Sequence, residues 1–203
     1  DAAVDEPQPC DESDGECVVP RPIIPDPTST EVDAVHGLAD DAAWIFIDKS
    51  ERRMVVNNGR GWREAYRVAL GPNPVGDKEV EGDGRTPEGE FYVCNEVRHN
   101  RFHRFLGVSY PGPDDAVRGQ DAGMLMPIEF RAIHRAHRNR EIPPWRTALG
   151  GHVGIHGYGQ RRDRAELHAQ GVDWTDGCIA VTNEEIERIA DHVRVGTRIL
   201  IVP

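Results

Sequence analysis

Residues 43–58, AWIFIDKSERRMVVNN, are where the character of the chain changes. Two runs rich in apolar and β-branched side chains, AWIFID and RMVVNN, flank the charged tetrad KSER. Such side chains suit a pleated, half-buried surface and the polar tetrad suits a turn, so the segment reads as a β-hairpin. The same texture continues downstream. AYRVALG (65–71), EFYVCNEV (90–97), RFHRFLGVSY (101–110), GGHVGIHG (150–157) and GTRILIV (196–202) read as further strands. Glycine and proline punctuate the stretches between them, notably GPNPVGDKEVEGDGRTPEGE at 71–90. PIEFRAIHRAHRNR (127–140) has a helical rhythm with a narrow apolar face. Thr182 opens the clearest helix: it can cap the first turn while Glu185 reaches back, and Ile186, Ile189, Ala190 and Val193 fall on one face. The expected class is mainly β with α, with one or two helices packed on the strands.

Upstream of the hairpin the composition is different. Residues 1–43 carry twelve acids and one base, Arg21, so this segment accounts for the whole net charge of -11. Six of the fifteen prolines also lie in the first 35 residues. A segment so poor in apolar side chains cannot offset its own ordering entropy, and 1–35 is expected to be a tail or linker preceding a domain at 36–203. Cys10 and Cys17 bracket part of it and suit either a small disulfide, in an oxidising compartment, or half of a metal site. The chain starts at Asp1 without an initiating Met, which suggests a processed or trimmed product. No apolar run approaches the roughly 18 residues of a membrane helix.

From residue 44 onward the charges balance, so nothing points to nucleic acid as a partner. Locally, residues 98–164 hold twelve arginines against six acids and most of the histidines. That excess suits either a solvated surface or a face that meets an anionic substrate.

The reactive candidates sit late in the chain. Cys178 follows the turn formers Asp176 and Gly177 and precedes the Thr182 cap by four residues. Free backbone N–H groups there favour a thiolate and can hold an oxyanion. Cys94, inside FYVCNEV, reads instead as an inert core thiol. A nucleophilic thiol needs a base, and His156, at the end of HVGI and before Gly157, is the best placed histidine.

In IHG (155–157) and TDGCI (175–179) the chain resembles the L,D-transpeptidases of the YkuD type. Their signature is His followed by Gly or Ser, then Ser/Thr-His-Gly-Cys and a hydrophobic residue. The resemblance extends to IFIDKSERRM, ALGPNPVG, GDGRTPEGEFYV and VGTRILIV, in the family's order over residues 44–203. It implies a β-sandwich-like fold with packed helices and a substrate-covering insert at 98–152. It also implies Cys178 as nucleophile, His156 as base, the Gly157 carbonyl as orienter of the imidazole, and the N–H groups of Gly177 and Cys178 as oxyanion hole. Thr175, Asp176, Trp174 and Arg85 are the implied substrate contacts, although Trp174 reads equally well as a core residue. The implied substrate is a peptidoglycan stem peptide, cleaved between a diaminopimelate residue and D-Ala in the cell envelope, periplasmic or secreted. The acceptor is the amine of another stem peptide or of a wall-attached protein, or water in a hydrolase. No cofactor is implied.

Two positions depart from the signature: Asp176 replaces its second histidine, and Ala180 an Arg or Asn. A WTDGCIA-like subgroup accounts for both. Asp176 disfavours a thiolate unless an arginine offsets it. Two other classes compete. A zinc hydrolase is suggested by the i, i+4 pairs His99/His103 and His152/His156, although the second pair is glycine-flanked and β-like. An inactive wall-binding module is suggested by the two departures.

Overall fold

The computed structural model describes residues 37–203; the tail and the Cys10–Cys17 pair lie outside the described residues. Strands β1 (Ala43–Asp48) and β2 (Arg53–Asn58) form the expected hairpin, paired from Ala43↔Asn58 to Asp48↔Arg53. Its turn is closed by the Asp48 carboxylate, which accepts from Ser50 Oγ at 2.7 Å and from the Glu51 N–H at 2.9 Å. Both faces of β1 are covered. Ile45 and Ile47 enter the main core with Met54 and Val56, while Trp44 and Phe46 join Leu38 and Val55 in a smaller cluster.

The remaining strands are β3 (Arg63–Arg67), β4 (Gly89–Asn100), β5 (His103–Val108), β6 (Gly154–His156), β7 (Ile179–Ala180) and β8 (Arg198–Val202). They form one eight-stranded sheet in the order β3-β2-β1-β8-β4-β5-β6-β7. The twelve-residue β4 spans the two halves: Gly89–Tyr92 pair with β8, and residues from Val93 onward pair with β5 across a register shift. That irregularity lets the strand bend, and the sheet curls. Curling brings the two ends together, since Ala69, just beyond β3, makes an antiparallel bridge to Ala180 of β7.

Among the described residues four helices pack on this frame: α1 (Pro113–Asp121), α2 (Pro127–Asn139), α3 (Arg162–Ala169) and α4 (Asn183–His192). The two helices legible in the sequence are α2 and α4. In α4 the capping box forms as expected, Glu185 N–H to Thr182 Oγ1 at 3.1 Å and Thr182 N–H to Glu185 Oε2 at 2.8 Å. Helix α1 adds to the expected count. Its first turn is stabilised by Pro113 and by the Asp115 carboxylate, which accepts from the Gly112 N–H at 2.6 Å. Helix α3 has almost no apolar face; His168 is its one buried residue.

The irregular 71–88 segment is tied down by a buried cation. Lys49 is 2% exposed, and its ammonium donates to the Gly76 carbonyl (2.6 Å), the Thr86 carbonyl (3.0 Å) and Glu88 Oε1 (2.7 Å). All three ammonium donors are therefore used, which is the condition for a buried charge to be tolerated. Replacing Lys49 by Ala is expected to reduce the unfolding free energy by about 3 kcal/mol, because two carbonyls and a carboxylate lose their partner. Urea denaturation followed by circular dichroism checks this. A loss below about 1 kcal/mol would mean that the segment is held by other contacts.

Candidate active site

Parallel pairing of β6 with β7 sets the geometry: Ile155 lies opposite Ile179 and His156 opposite Ala180. Cys178, immediately before β7, thus arrives beside the strand that ends in His156. Both side chains line one cavity of about 780 Å³, whose wall also includes Phe102, Trp145, Arg164 and Trp174.

The loop leading to Cys178 is fixed at each step. The Asp173 carboxylate accepts from Arg52 Nη2 at 2.7 Å and Nε at 3.0 Å, and from the Leu70 N–H at 2.8 Å. The Thr175 N–H donates to the Leu70 carbonyl at 2.9 Å. The buried Thr86 hydroxyl donates to the Gly177 carbonyl at 3.0 Å. Gly177 has φ of 120°, and a Cβ there would lie 2.6 Å from the Arg85 carbonyl oxygen, so only glycine fits. Thr175 is itself buried. Its hydroxyl donates to the Cys178 carbonyl at 2.8 Å and accepts from the Gly177 N–H at 3.2 Å. Thr175 therefore braces the turn, and its hydroxyl oxygen occupies the Gly177 N–H expected in an oxyanion hole.

His156 is 1% exposed. Its Nδ1 lies 2.7 Å from the Gly157 carbonyl oxygen. A carbonyl only accepts, so Nδ1 carries the proton and Nε2 presents a lone pair. Gly157 has no room for a side chain, since a Cβ would lie 2.5 Å from Asn183 Oδ1. Asn183 in turn holds the loop through Gly159, accepting from its N–H at 2.9 Å and donating to its carbonyl at 2.8 Å. Phe102 stacks on the imidazole with ring centroids 4.2 Å apart, and Trp174 meets it edge-on at 5.9 Å.

These surroundings favour uncharged partners. Burial lowers the His156 pKa to about 4; the Gly157 carbonyl opposes that shift, while Arg164 and Arg101 add to it. Burial likewise raises the Cys178 thiol to about 11. The Gly154 N–H opposes that rise, Asp176 adds to it, and Arg101 and Lys78 offset it further. The half-buried thiol sits 3.6 Å from the His152 carbonyl. Cys94 is fully in the core, its thiol raised by burial to about 12.

Other expected contacts distribute unevenly. Trp174 and the exposed Asp176 line the cavity. Arg85 does not: its guanidinium donates to the Asp77 carbonyl at 3.1 Å and pairs with Glu79 at 3.4 Å, beside a separate cleft with Pro72 and Val75. Only the Arg85 backbone approaches the Cys178 loop, through the contact that excludes a side chain at position 177. Within the 98–152 insert, the β4–β5 turn and residues around Trp145 and His152 reach the cavity wall. Helices α1 and α2 do not line it. They pack behind β4, where the Tyr92 hydroxyl donates to the carbonyls of Ala136 (3.1 Å) and Glu141 (2.6 Å). His152 and His156 turn to different aromatic partners, Trp145 and Phe102. Among the described residues no three His, Cys, Asp or Glu side chains converge as metal ligands.

The profile of the L,D-transpeptidase catalytic domain, YkuD, matches residues 42–201. No curated protein sequence matches the chain significantly. Among solved structures, the helical cell shape determining protein Pgp2 from Campylobacter jejuni is similar at a TM-score of 0.51 and 20% identity, over 79% of this chain and 47% of that one. The L,D-transpeptidase from Xylanimonas cellulosilytica aligns at 0.45 and 16% identity, over 85% and 69%. L,D-transpeptidase 1 from Mycobacterium tuberculosis aligns at 0.41 and 15%, over 80% and 62%. The chain thus spans about half the length of Pgp2. With most of its length matched from the first hairpin to the last strand, the chain belongs to the YkuD family of L,D-transpeptidase catalytic domains.

Proposed function

We propose that the protein is a peptidoglycan-modifying acyltransferase of the cell envelope that works through a thioester on Cys178. The observation that carries this reading is the meeting, in one cavity, of the Cys178 thiol and a His156 imidazole whose free nitrogen is Nε2. The donor is a stem peptide, opened at the carbonyl between diaminopimelate and D-Ala. As Sγ attacks that carbonyl, the thiol proton passes to His156 Nε2 and the carbonyl oxygen takes up negative charge. Collapse expels the D-Ala amine, which recovers the proton from the imidazolium, and leaves the acyl group on sulfur. An incoming amine then gives its proton to Nε2, attacks the thioester and releases the thiol.

The resting pair is neutral: a thiol near 11 and an imidazole near 4 do not exchange a proton unaided. Burial thus favours the neutral pair, and on this reading proton transfer accompanies attack, with His156 as general base rather than half of a preformed ion pair. The imidazolium that forms is steadied by the Gly157 carbonyl. Oxyanion stabilisation falls to the Cys178 N–H, joined by the Gly177 N–H once it exchanges the Thr175 hydroxyl for the stronger, charged acceptor. Transfer rather than hydrolysis is the preferred outcome on the family resemblance, and the aromatic part of the cavity wall, Phe102, Phe105, Trp145 and Trp174, is where an acyl group would be kept from water. The proposed site lies outside the cytoplasmic membrane, where peptidoglycan is. No helix among the described residues is long and apolar enough to cross a membrane.

Cys178→Ala is expected to abolish turnover of disaccharide tetrapeptide while leaving the fold intact. Cys94→Ala should keep near-normal turnover and cost roughly 1–3 kcal/mol of stability, as for a lost core side chain. If the Cys94 variant is the inactive one, the nucleophile is misassigned.

A base protonated only near pH 4 implies that kcat/KM holds from about pH 9 down to about pH 5, then falls tenfold per unit at lower pH. An acid limb centred near 6.5 would mean that the imidazole is not shielded as described.

Supplying labelled D-amino acid with disaccharide tetrapeptide separates the outcomes of the thioester. Exchange of the terminal D-Ala for label is expected. Tripeptide alone at high amine concentration would make the enzyme a hydrolase of the same bond.

A further inference from the structure

Three cations border the cavity, and they are not equivalent. Lys78 is already satisfied, with its ammonium 2.7 Å from Asp83 Oδ1 and 2.9 Å from the Val80 carbonyl. Arg101 and Arg164 make no ion pair among the described residues, whereas Arg161 nearby is neutralised by Asp163 at 2.5 Å. Both free guanidiniums are instead carried on aromatic rings. Arg101 lies 4.5 Å and Arg164 5.7 Å from the centroid of Phe102, and Arg164 also lies 5.2 Å from that of Trp174. Stacking restrains the plane of a guanidinium while leaving its N–H edge available, and that edge is what meets a carboxylate in bidentate fashion. The platform is also the ring that stacks on His156 at 4.2 Å. Positive charge is therefore held one aromatic layer from the base. It is close enough that Arg164 and Arg101 both help to keep the imidazole uncharged.

On the reading that Cys178 acylates a stem peptide, we propose that Arg101 and Arg164 form a carboxylate-binding pair on the His156 side of the cavity, selecting donors whose carboxyl group there is ionised rather than amidated. A stem-peptide donor offers two such groups near the reacting carbonyl: the side-chain carboxylate of diaminopimelate and the terminal carboxylate of D-Ala. The first stays with the enzyme in the thioester, and the second leaves with D-Ala. Either group gains charge-assisted hydrogen bonds in a site partly shielded from water, and an amide, being neutral, gains much less. Asp176 on the same cavity forms no ion pair with either arginine among the described residues, so the two cations are not neutralised by it.

The test is steady-state kinetics on disaccharide tetrapeptide in three forms: free acid, amidated on the diaminopimelate side chain, and amidated at the terminal D-Ala. Each is used with the intact protein and with Arg101→Gln, Arg164→Gln and Arg164→Lys. For the free acid, KM should rise about 10- to 100-fold in Arg164→Gln with kcat changed much less, and the lysine variant should fall between. One amidated form should already be that much poorer with the intact protein and lose little more in the glutamine variants; which one it is names the carboxylate. The acid limb of kcat/KM should also move to higher pH in Arg164→Gln, since a cation that opposes protonation of His156 is gone. Equal losses for all three peptides, or an intact protein indifferent to both amidations, would overturn the pair. If the intact protein turns over none of the peptides, the cysteine-acylation reading fails. Calorimetric binding of the same three peptides to Cys178→Ala then decides the arginine pair by the same pattern.

Discussion

The parallel pairing of two very short strands is the constraint on which the site depends. β6 has three residues and β7 two, yet their register, Ile155 opposite Ile179 and His156 opposite Ala180, decides whether Cys178 shares a cavity with His156. So short a ladder has little stability of its own. It is supported on one side by β5, which pairs with β6 from Phe105↔His156 to Gly107↔Gly154. On the other side Ala180 exchanges both backbone hydrogen bonds with Ala69, at 2.8 and 2.9 Å. The curl of the sheet is thus what brings the distant edge strand round to hold the reactive turn. A one-residue slip of β7 would turn Cys178 to the opposite face.

The same economy governs the turn itself. Its carbonyls and N–H groups are claimed by residues far away in sequence: Thr86 holds Gly177, Leu70 holds Thr175, and Arg52 holds Asp173. Lys49 fixes the carbonyl of Thr86, so a buried ammonium at the end of β1 is linked through one residue to the loop before Cys178. Rigidity in these supports matters for the proposed nucleophile, because an error of an ångström in its position is costly to rate.

How much of this is legible in the sequence depends on the range of each signal. The β1–β2 hairpin and the α4 cap are local patterns, and both stand as the residues suggest. Cys178 and His156 are legible because each sits beside a glycine that the backbone requires, and the resemblance to the family ties the two together. Helix α1 escapes notice because PGPDD reads as turn-forming, although Pro113 at the helix start and the Asp115 carboxylate are good N-terminal signals. Helix α3 has no apolar periodicity to find. Arg85 illustrates the converse: its backbone belongs beside the turn, but its side chain is drawn off by Asp77 and Glu79. The roles of Thr86, Phe102 and Arg164 arise from contacts between distant segments. Thr86 and Gly177 are 91 residues apart, and no spacing rule announces such a pair.

The two departures from the family signature become intelligible once the resting charges are considered. A carboxylate at 176 would be a serious burden on an enzyme that stored its cysteine as a thiolate. Here burial is the largest cause of the raised thiol pKa, so Asp176 adds to a shift already in the same direction and acts on an uncharged group. On the proposed mechanism its influence is felt as charge develops on sulfur, where Arg101 and Lys78 oppose it. Ala180, for its part, is fully buried and bridged to Ala69. Its methyl group carries no polar atom, so the substrate contact that the signature places after the cysteine is missing at this position. The two guanidiniums of the cavity wall lie elsewhere, on the β4–β5 turn and on α3, carried by Arg101 and Arg164. On the proposed reading, a polar residue is lost behind Cys178 while the guanidiniums of Arg101 and Arg164 stand on the His156 side of a cavity whose wall also carries the Asp176 carboxylate.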